Sequence, residues 1–185
     1  DNVIEQVKAM KINKLGFEAE DINFEFYSQL NNKLNIDLVP TKKAIEQFRM
    51  VKTEEEINKI KKAVEIGDAA FDYIKNIIRP GVSELNVANE LEYFMRKKGA
   101  TSNSSTIIVA SGHRSSLPHG VASDKVIENG DMVTLDYGAL YQGYRSDMTR
   151  TLAVGEPKPE LKKIYSIVHE ALQRCLDTIK AGMLA

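Results

Sequence analysis

The stretch GDMVTLDYGALYQGYRSDMTRT, residues 130–151, holds two segments of alternating apolar and polar residues on either side of Gln142 and Gly143. Alternation with a period of two is typical of β-strands, and a short glycine-containing pair between such segments indicates a tight hairpin turn. If the turn has two residues, Tyr141 pairs with Tyr144. The stretch therefore predicts an antiparallel ribbon whose register the turn determines.

Two carboxylates, Asp136 and Asp147, lie on opposite arms of this hairpin. In the predicted register Asp147 lies opposite Gly138, and Asp136 shares the face of Asp147 because side chains alternate along a strand. Diagonal neighbours are roughly 7–8 Å apart at their backbones, so a pair of divalent ions about 3.5–4 Å apart would fit between the carboxylates above Gly138. A one-residue shift in register would send the two side chains to opposite faces. The alternative to metal binding is that the aspartates face solvent or pair with Arg145 or Arg150.

Helical and extended patterns surround the hairpin. Residues 1–50 alternate between the two, as in a small α/β layer. Thr53 and Glu56 form a capping-box pattern, which predicts that a long helix begins there. Ser83 is predicted to be the N-cap of a second helix, which Gly99 ends. A last helix follows the prolines at the end of the ribbon.

Apolar residues at helical spacing predict the core-facing side of each of these three helices. The stripe of the last helix includes the single cysteine, Cys175, so we expect this side chain to pack in the core. The predicted stripes are Ile57, Ile60, Val64, Phe71, Ile74 and Ile78; Leu85, Ala88, Leu91 and Met95; and Ile164, Ile167, Val168, Ala171, Leu172, Cys175 and Ile179.

Composition excludes several classes of function. Lys and Arg total 25 against 26 Asp and Glu, and they are scattered, so a nucleic-acid partner is not expected. The apolar runs are far too short to cross a bilayer, and no signal-peptide pattern opens the chain, so no membrane partner is expected. One cysteine excludes an intrachain disulfide and a cysteine-built metal site, which favours the cytoplasm.

Three motifs occur in order: TIIVASGHRS at 106–115, LPHG at 117–120, and the hairpin stretch at 130–151. Together they resemble the first half of the pita-bread metallopeptidases, most closely the Xaa-Pro dipeptidases (prolidases) and Xaa-Pro aminopeptidases. The resemblance implies an α+β fold in which residues 51–185 form the amino-terminal half of the pita-bread domain. Residues 1–50 resemble the carboxy-terminal part of the small α/β, creatinase-like domain that precedes it.

The resemblance also implies roles for three residues. Asp136, in LDYGA, matches the aspartate that binds one metal through both oxygens, and Asp147, in SDMTRT, matches the aspartate that bridges two metals. His119, in LPHG, matches a histidine that binds substrate near the scissile bond; without the family context it would be interpreted as an ordinary turn residue. The implied cofactors are two divalent ions, such as manganese, cobalt or zinc, which carboxylate oxygens suit.

Other histidines and tyrosines receive structural interpretations. His113 and His169 are predicted to face solvent or to form local hydrogen bonds, and Tyr137, Tyr141 and Tyr144 to pack in the ribbon.

The family completes its metal site with one further histidine and two glutamates from the second half of the fold. This chain lacks their motifs, so we expect it to be inactive alone and to expose an apolar surface. The remaining portion of the parent, or a homodimer, would cover that surface.

The implied function of the parent is metal-dependent hydrolysis of the bond before proline, in dipeptides or at peptide amino termini. A non-catalytic pita-bread protein that binds peptides or proteins is the alternative from another class. Creatine hydrolysis on the same fold proceeds without metal, so the aspartate pair argues against it. Methionine removal is a further alternative, which the preceding creatinase-like domain disfavours.

Overall fold

Helices and strands alternate along the first part of the chain. The structure is a computed structural model that describes residues 2–184, and the chain divides into two units between Thr53 and Glu54. In the first unit two parallel strands are joined through a helix, and four side chains, Ile4, Val7, Leu30 and Leu34, form its core. Its elements are α1 (Asn2–Met10), β1 (Lys14–Glu18), α2 (Phe24–Lys33), β2 (Asp37–Thr41) and α3 (Ala44–Met50).

The second unit opens with the two predicted helices, α4 (Glu54–Ile74) and α5 (Glu84–Lys97). The Ser83 side chain accepts a hydrogen bond from the backbone N–H of Asn86 at 3.2 Å, which confirms the predicted N-cap. Gly99 follows α5 with φ of 104°, a conformation that favours glycine after a helix. Both predicted helices are therefore confirmed in position.

The strands of the second unit form two antiparallel sheets of three strands each. The strands are β3 (Ser102–Asn103), β4 (Ile108–Ser111), β5 (Met132–Tyr137), β6 (Ala139–Tyr141), β7 (Tyr144–Arg145) and β8 (Met148–Ala153), and α6 (Pro159–Thr178) follows. One sheet has the order β3-β6-β7 and the other β4-β5-β8. A 3₁₀ helix, Gly112–Ser116, follows β4.

The core of the second unit lies between α4, α5 and one face of the β4-β5-β8 sheet. Val133, Leu135 and Tyr137 alternate along β5 and are fully buried there. The hydroxyl of Tyr137 donates to the backbone oxygen of Gly67 on α4 at 3.1 Å, and burial raises its pKa. Tyr137 therefore packs in the ribbon, as predicted, and joins β5 to α4.

Nine residues of the predicted stripes are exposed, namely Val64, Leu85 and all seven of the last stripe. Val64 and Leu85 are exposed by 44% and 42%, because the buried faces of α4 and α5 are centred one position away. Cys175 is also exposed, so the prediction that it packs in the core is wrong for this chain. The stripe on α6 is real, but within the part of the chain that the structure describes no residue of α6 is buried.

Among residues 2–184, every helix is too short or too polar to cross a lipid bilayer.

Candidate metal centre

The hairpin turn consists of Gln142 and Gly143. Their φ angles are 47° and 86°, and two positive φ angles in succession are those of the type I′ turn, which matches the twist of the flanking strands. Tyr141 pairs with Tyr144, as the sequence predicts. The same register continues beyond the hairpin end, where Tyr137 pairs with Met148. The predicted register is thus confirmed along the whole ribbon.

Asp136 and Asp147 occupy the positions that this register requires. Asp136 pairs with Thr149, while the neighbouring pair, Tyr137 and Met148, packs in the core or against it. Asp136 and Thr149 therefore lie on the opposite face of the sheet, which is exposed at Thr149 and covered at Ile108 of β4. Asp147 lies between β7 and β8 and outside both strands, and continuing the alternation of β8 from Thr149 predicts the same face for Asp147. Asp136 is half-buried and Asp147 is exposed.

Gly138, opposite Asp147, is needed for a different reason from the one the sequence suggested. A Cβ atom at this position would lie 1.9 Å from the backbone oxygen of Ser146 and 2.5 Å from the hydroxyl of Ser104. The space above Gly138 is thus filled by protein atoms rather than left for an ion. Ser146 is held in place because its hydroxyl donates to the oxygen of Ala63 on α4 and accepts from the N–H of Ala139.

The two carboxylates have no arginine partner in the described residues. Arg150 instead donates to the backbone oxygen of Thr149 at 2.9 Å, and the ion pairs of residues 2–184 include neither Asp136 nor Asp147. Asp147 also borders a surface depression of about 360 Å³ with Asp68 and Leu172. The alternative in which arginine neutralises the pair is therefore not observed.

A metal centre would need further ligands. Across residues 2–184 no group of three or more histidine, cysteine, aspartate or glutamate side chains is arranged to hold an ion. Carboxylate oxygens fit a hard divalent ion, and neither Asp136 nor Asp147 forms an ion pair among the described residues, although Arg150 borders the same depression as Asp147. The pair thus fits part of a metal centre, and the rest of the ligand set would come from outside the described residues.

His119 lies on the loop after the 3₁₀ helix and is exposed. Its backbone oxygen accepts from the N–H of Val121 at 2.8 Å, and Val121 forms an antiparallel bridge with Ile108. Ile108 in turn pairs with Asp136. Val121, Ile108 and Asp136 thus lie side by side in one row across the sheet. Because neighbouring strands are about 4.7–4.9 Å apart, the backbone of the His119 loop lies about two strand spacings from Asp136. His113 and His169 are exposed, as predicted.

Sequence reasoning missed Glu84, the first residue of α5. Its side chain is fully buried and accepts hydrogen bonds from Ser111, Arg114 and Ser123. Burial by itself raises the pKa of Glu84, but the hydrogen bonds from Ser123, Ser111 and Arg114 outweigh burial and keep the pKa below its ordinary value of 4.5. An acidic residue in the first turn is common on helix surfaces, so the sequence carried no signal of this network.

The lowered pKa of Glu84 predicts how stability depends on pH. A carboxylate whose pKa falls on folding contributes stability that is fully present above its unfolded pKa and is lost as the pH falls through the folded value. We expect the urea midpoints of wild type and Glu84→Gln, measured in the full-length protein between about pH 3 and pH 6, to converge as the pH falls. A difference that stays constant over this range would contradict the prediction.

Comparison with known proteins gives the same family as the three sequence motifs. Residues 58–185 match the model of metallopeptidase family M24. The chain is 44% identical over 175 residues to an Xaa-Pro dipeptidase of Pyrococcus horikoshii, which covers 94% of this chain and 50% of that protein. The chain spans about half the length of the curated relatives it matches.

Solved structures show the same likeness. An Xaa-Pro dipeptidase from Bacillus anthracis has a TM-score of 0.94 and 56% identity, over 98% of this chain and 51% of that one. An X-Pro aminopeptidase from Thermotoga maritima has a TM-score of 0.91 and 42% identity, over 98% of this chain and 52% of the other. The predicted fold, the first half of a pita-bread protein, is thereby confirmed.

Proposed function

The chain belongs to metallopeptidase family M24, and from that premise we propose that the complete protein hydrolyses the bond before proline in dipeptides or at peptide amino termini. The observation that supports the proposal is the hairpin register, which predicts a common face for Asp136 and Asp147, and neither carboxylate has an ion pair among the described residues. The names of the relatives, Xaa-Pro dipeptidases and an X-Pro aminopeptidase, agree in substrate class.

Each candidate residue has a separate task in this proposal. Asp136 and Asp147 hold two divalent ions, manganese, cobalt or zinc, together with ligands from the remainder of the protein. Ions of this kind polarise a carbonyl and lower the pKa of water when bound. His119 contacts the substrate on the open side of the sheet, from a loop that is exposed and tied to the Asp136 row.

Proline explains why a dedicated peptidase is needed. The nitrogen of an Xaa-Pro bond carries no hydrogen, and the ring fixes the backbone angle. A site that recognises ordinary peptides through that N–H therefore binds Xaa-Pro poorly. We propose that an open sheet face with carboxylates and one loop histidine selects the substrate by shape and by its carbonyl rather than by this donor.

Organisation and partners form a second part of the proposal. We assign residues 1–50 to the end of a creatinase-like domain and residues 51–185 to the first half of the catalytic domain, a division supported by the unit boundary after Thr53. The apolar face of α6 supports a partner there: the remainder of the polypeptide or a second copy in a homodimer. A cytoplasmic location is supported by the single, exposed cysteine.

An assay of the full-length protein tests the catalytic proposal. We expect hydrolysis of an Xaa-Pro dipeptide in the presence of added manganese, little hydrolysis of the matching Xaa-Ala dipeptide, and loss of activity after chelation that returns when metal is restored. Equal rates on both dipeptides would contradict the substrate assignment. Binding of peptide without hydrolysis, at any metal concentration, would favour the non-catalytic alternative.

A further inference from the structure

One buried carboxylate holds both ends of the loop that carries His119. Glu84 accepts from Ser111 at the start of the loop, from Arg114 within it, and from Ser123 at its end. We propose that Glu84 is a positioning residue for His119: it fixes the loop so that the histidine meets the substrate. The inference rests on the proposed function and adds to it a residue outside the candidate metal centre.

Each carboxylate oxygen of Glu84 accepts hydrogen bonds from a different part of the loop. Oε1 accepts from the backbone N–H of Ser111 at 2.7 Å and from its hydroxyl at 2.9 Å. Oε2 accepts from the hydroxyl of Ser123 at 2.7 Å, from its N–H at 3.2 Å, and from Nε of Arg114 at 3.0 Å. A charged acceptor with this many donors forms strong hydrogen bonds, so the two ends of the loop are held close together.

A short chain of contacts continues from Glu84 to His119. Arg114, bound to Glu84 through Nε, donates from Nη2 to the backbone oxygen of Val121 at 2.7 Å. The N–H of Val121 donates to the backbone oxygen of His119 at 2.8 Å. Removing the charge of Glu84 would release Arg114, and Arg114 would no longer hold the segment from His119 to Val121. The position of the histidine thus depends on Glu84 through named atoms.

A second ion pair supports the start of the same loop. Nζ of Lys125 donates to the hydroxyl of Ser111 at 2.9 Å and to Oδ2 of Asp131 at 2.8 Å. Asp131 also accepts from the N–H of Glu128 at 3.0 Å. Because Ser111 contacts both Glu84 and Lys125, the two ion pairs form one connected network. Such a network restricts the loop more than either pair would alone.

A purely structural role for Glu84 predicts a different kinetic result from a positioning role. If Glu84 only stabilises the fold, its replacement lowers activity by the same factor whether or not His119 is present. If Glu84 acts through His119, its replacement matters only while the histidine is there. A double-mutant cycle on kcat/KM separates the two cases.

The test uses the full-length protein with manganese and an Xaa-Pro dipeptide. We expect Glu84→Gln to lower kcat/KM by about 10-fold to 100-fold, in the range seen when a group that orients an active-site residue is removed. In the His119→Ala background the same replacement should lower kcat/KM by less than about twofold. Multiplicative losses, with the full factor retained in that background, would overturn the proposal.

Glu92 provides the matched control. This glutamate lies on the same helix and is also bound through both oxygens, to Asn103 at 2.9 Å and to Arg96 at 2.9 Å, but not to the His119 loop. Glu92→Gln should leave kcat/KM within about twofold of wild type. If Glu84→Gln does not fold, Ser123→Ala, which removes the 2.7 Å contact, replaces it in the same cycle with the same criterion.

Hydrogen exchange keeps the proposal testable if the wild type hydrolyses no Xaa-Pro dipeptide, an outcome that refutes the proposed function alone. We expect the amide of Val121 to exchange faster in Glu84→Gln than in wild type or in Glu92→Gln. Unchanged exchange at Val121 in Glu84→Gln would overturn the positioning role whatever the substrate is.

Discussion

An Asp147→Ala variant of the full-length protein is expected to lose Xaa-Pro hydrolysis by about 1,000-fold or more. Bound divalent ions supply several kcal/mol of transition-state stabilisation, and each 1.36 kcal/mol corresponds to tenfold in rate. Asp147 is the carboxylate proposed to contact both ions, so its removal weakens both at once. Because Asp147 is exposed and has no ion pair among residues 2–184, the fold should tolerate the change.

The measurements are kcat/KM with added manganese and the metal content after dialysis. Asp21 is the matched control, since it is also an exposed aspartate but belongs to the first unit, whereas the hairpin belongs to the second. Asp21→Ala should keep wild-type activity and metal content. Turnover by Asp147→Ala equal to that of wild type would show that this carboxylate is not a ligand, and the proposed centre would have to be abandoned.

The ribbon could be predicted from sequence because its information is local. Gln142 and Gly143 adopt the positive φ angles of a two-residue turn, and a two-residue turn fixes which residues pair. Pairing then fixes faces, since a strand alternates with a period of two. The prediction of a common face for Asp136 and Asp147 followed from this reasoning, and the observed register agrees with the predicted one.

Contacts between distant residues could not be predicted in this way. The donors to Glu84 lie 27, 30 and 39 residues away along the chain, and nothing in the local pattern around Glu84 distinguishes it from a surface residue of a first helical turn. The error at Cys175 has a related cause. A helical stripe predicts that one face of α6 is apolar, but not which part of a protein covers that face.

Replacement of Gly138 by alanine is expected to destabilise the second unit by about 3 kcal/mol or more. The new Cβ would lie 1.9 Å from the backbone oxygen of Ser146, far inside van der Waals contact. That oxygen cannot move freely, because the Ser146 hydroxyl is bound to both Ala63 and Ala139. Overpacking that neighbouring side chains cannot relieve typically costs 1–3 kcal/mol, and here the obstacle is backbone, so the cost should reach about the top of that range or exceed it.

Gly143→Ala in the same hairpin is the control for glycine replacement as such. A Cβ there meets no atom within 4 Å, so only the positive φ of 86° opposes it, at about 1–2 kcal/mol. Urea unfolding of the full-length variants should therefore give a clearly lower midpoint for Gly138→Ala than for Gly143→Ala. Equal midpoints would mean that the ribbon relaxes around Gly138. The register of Asp136 against Thr149 would then survive without the close approach of Ser146, and manganese binding by Gly138→Ala should remain at the wild-type level.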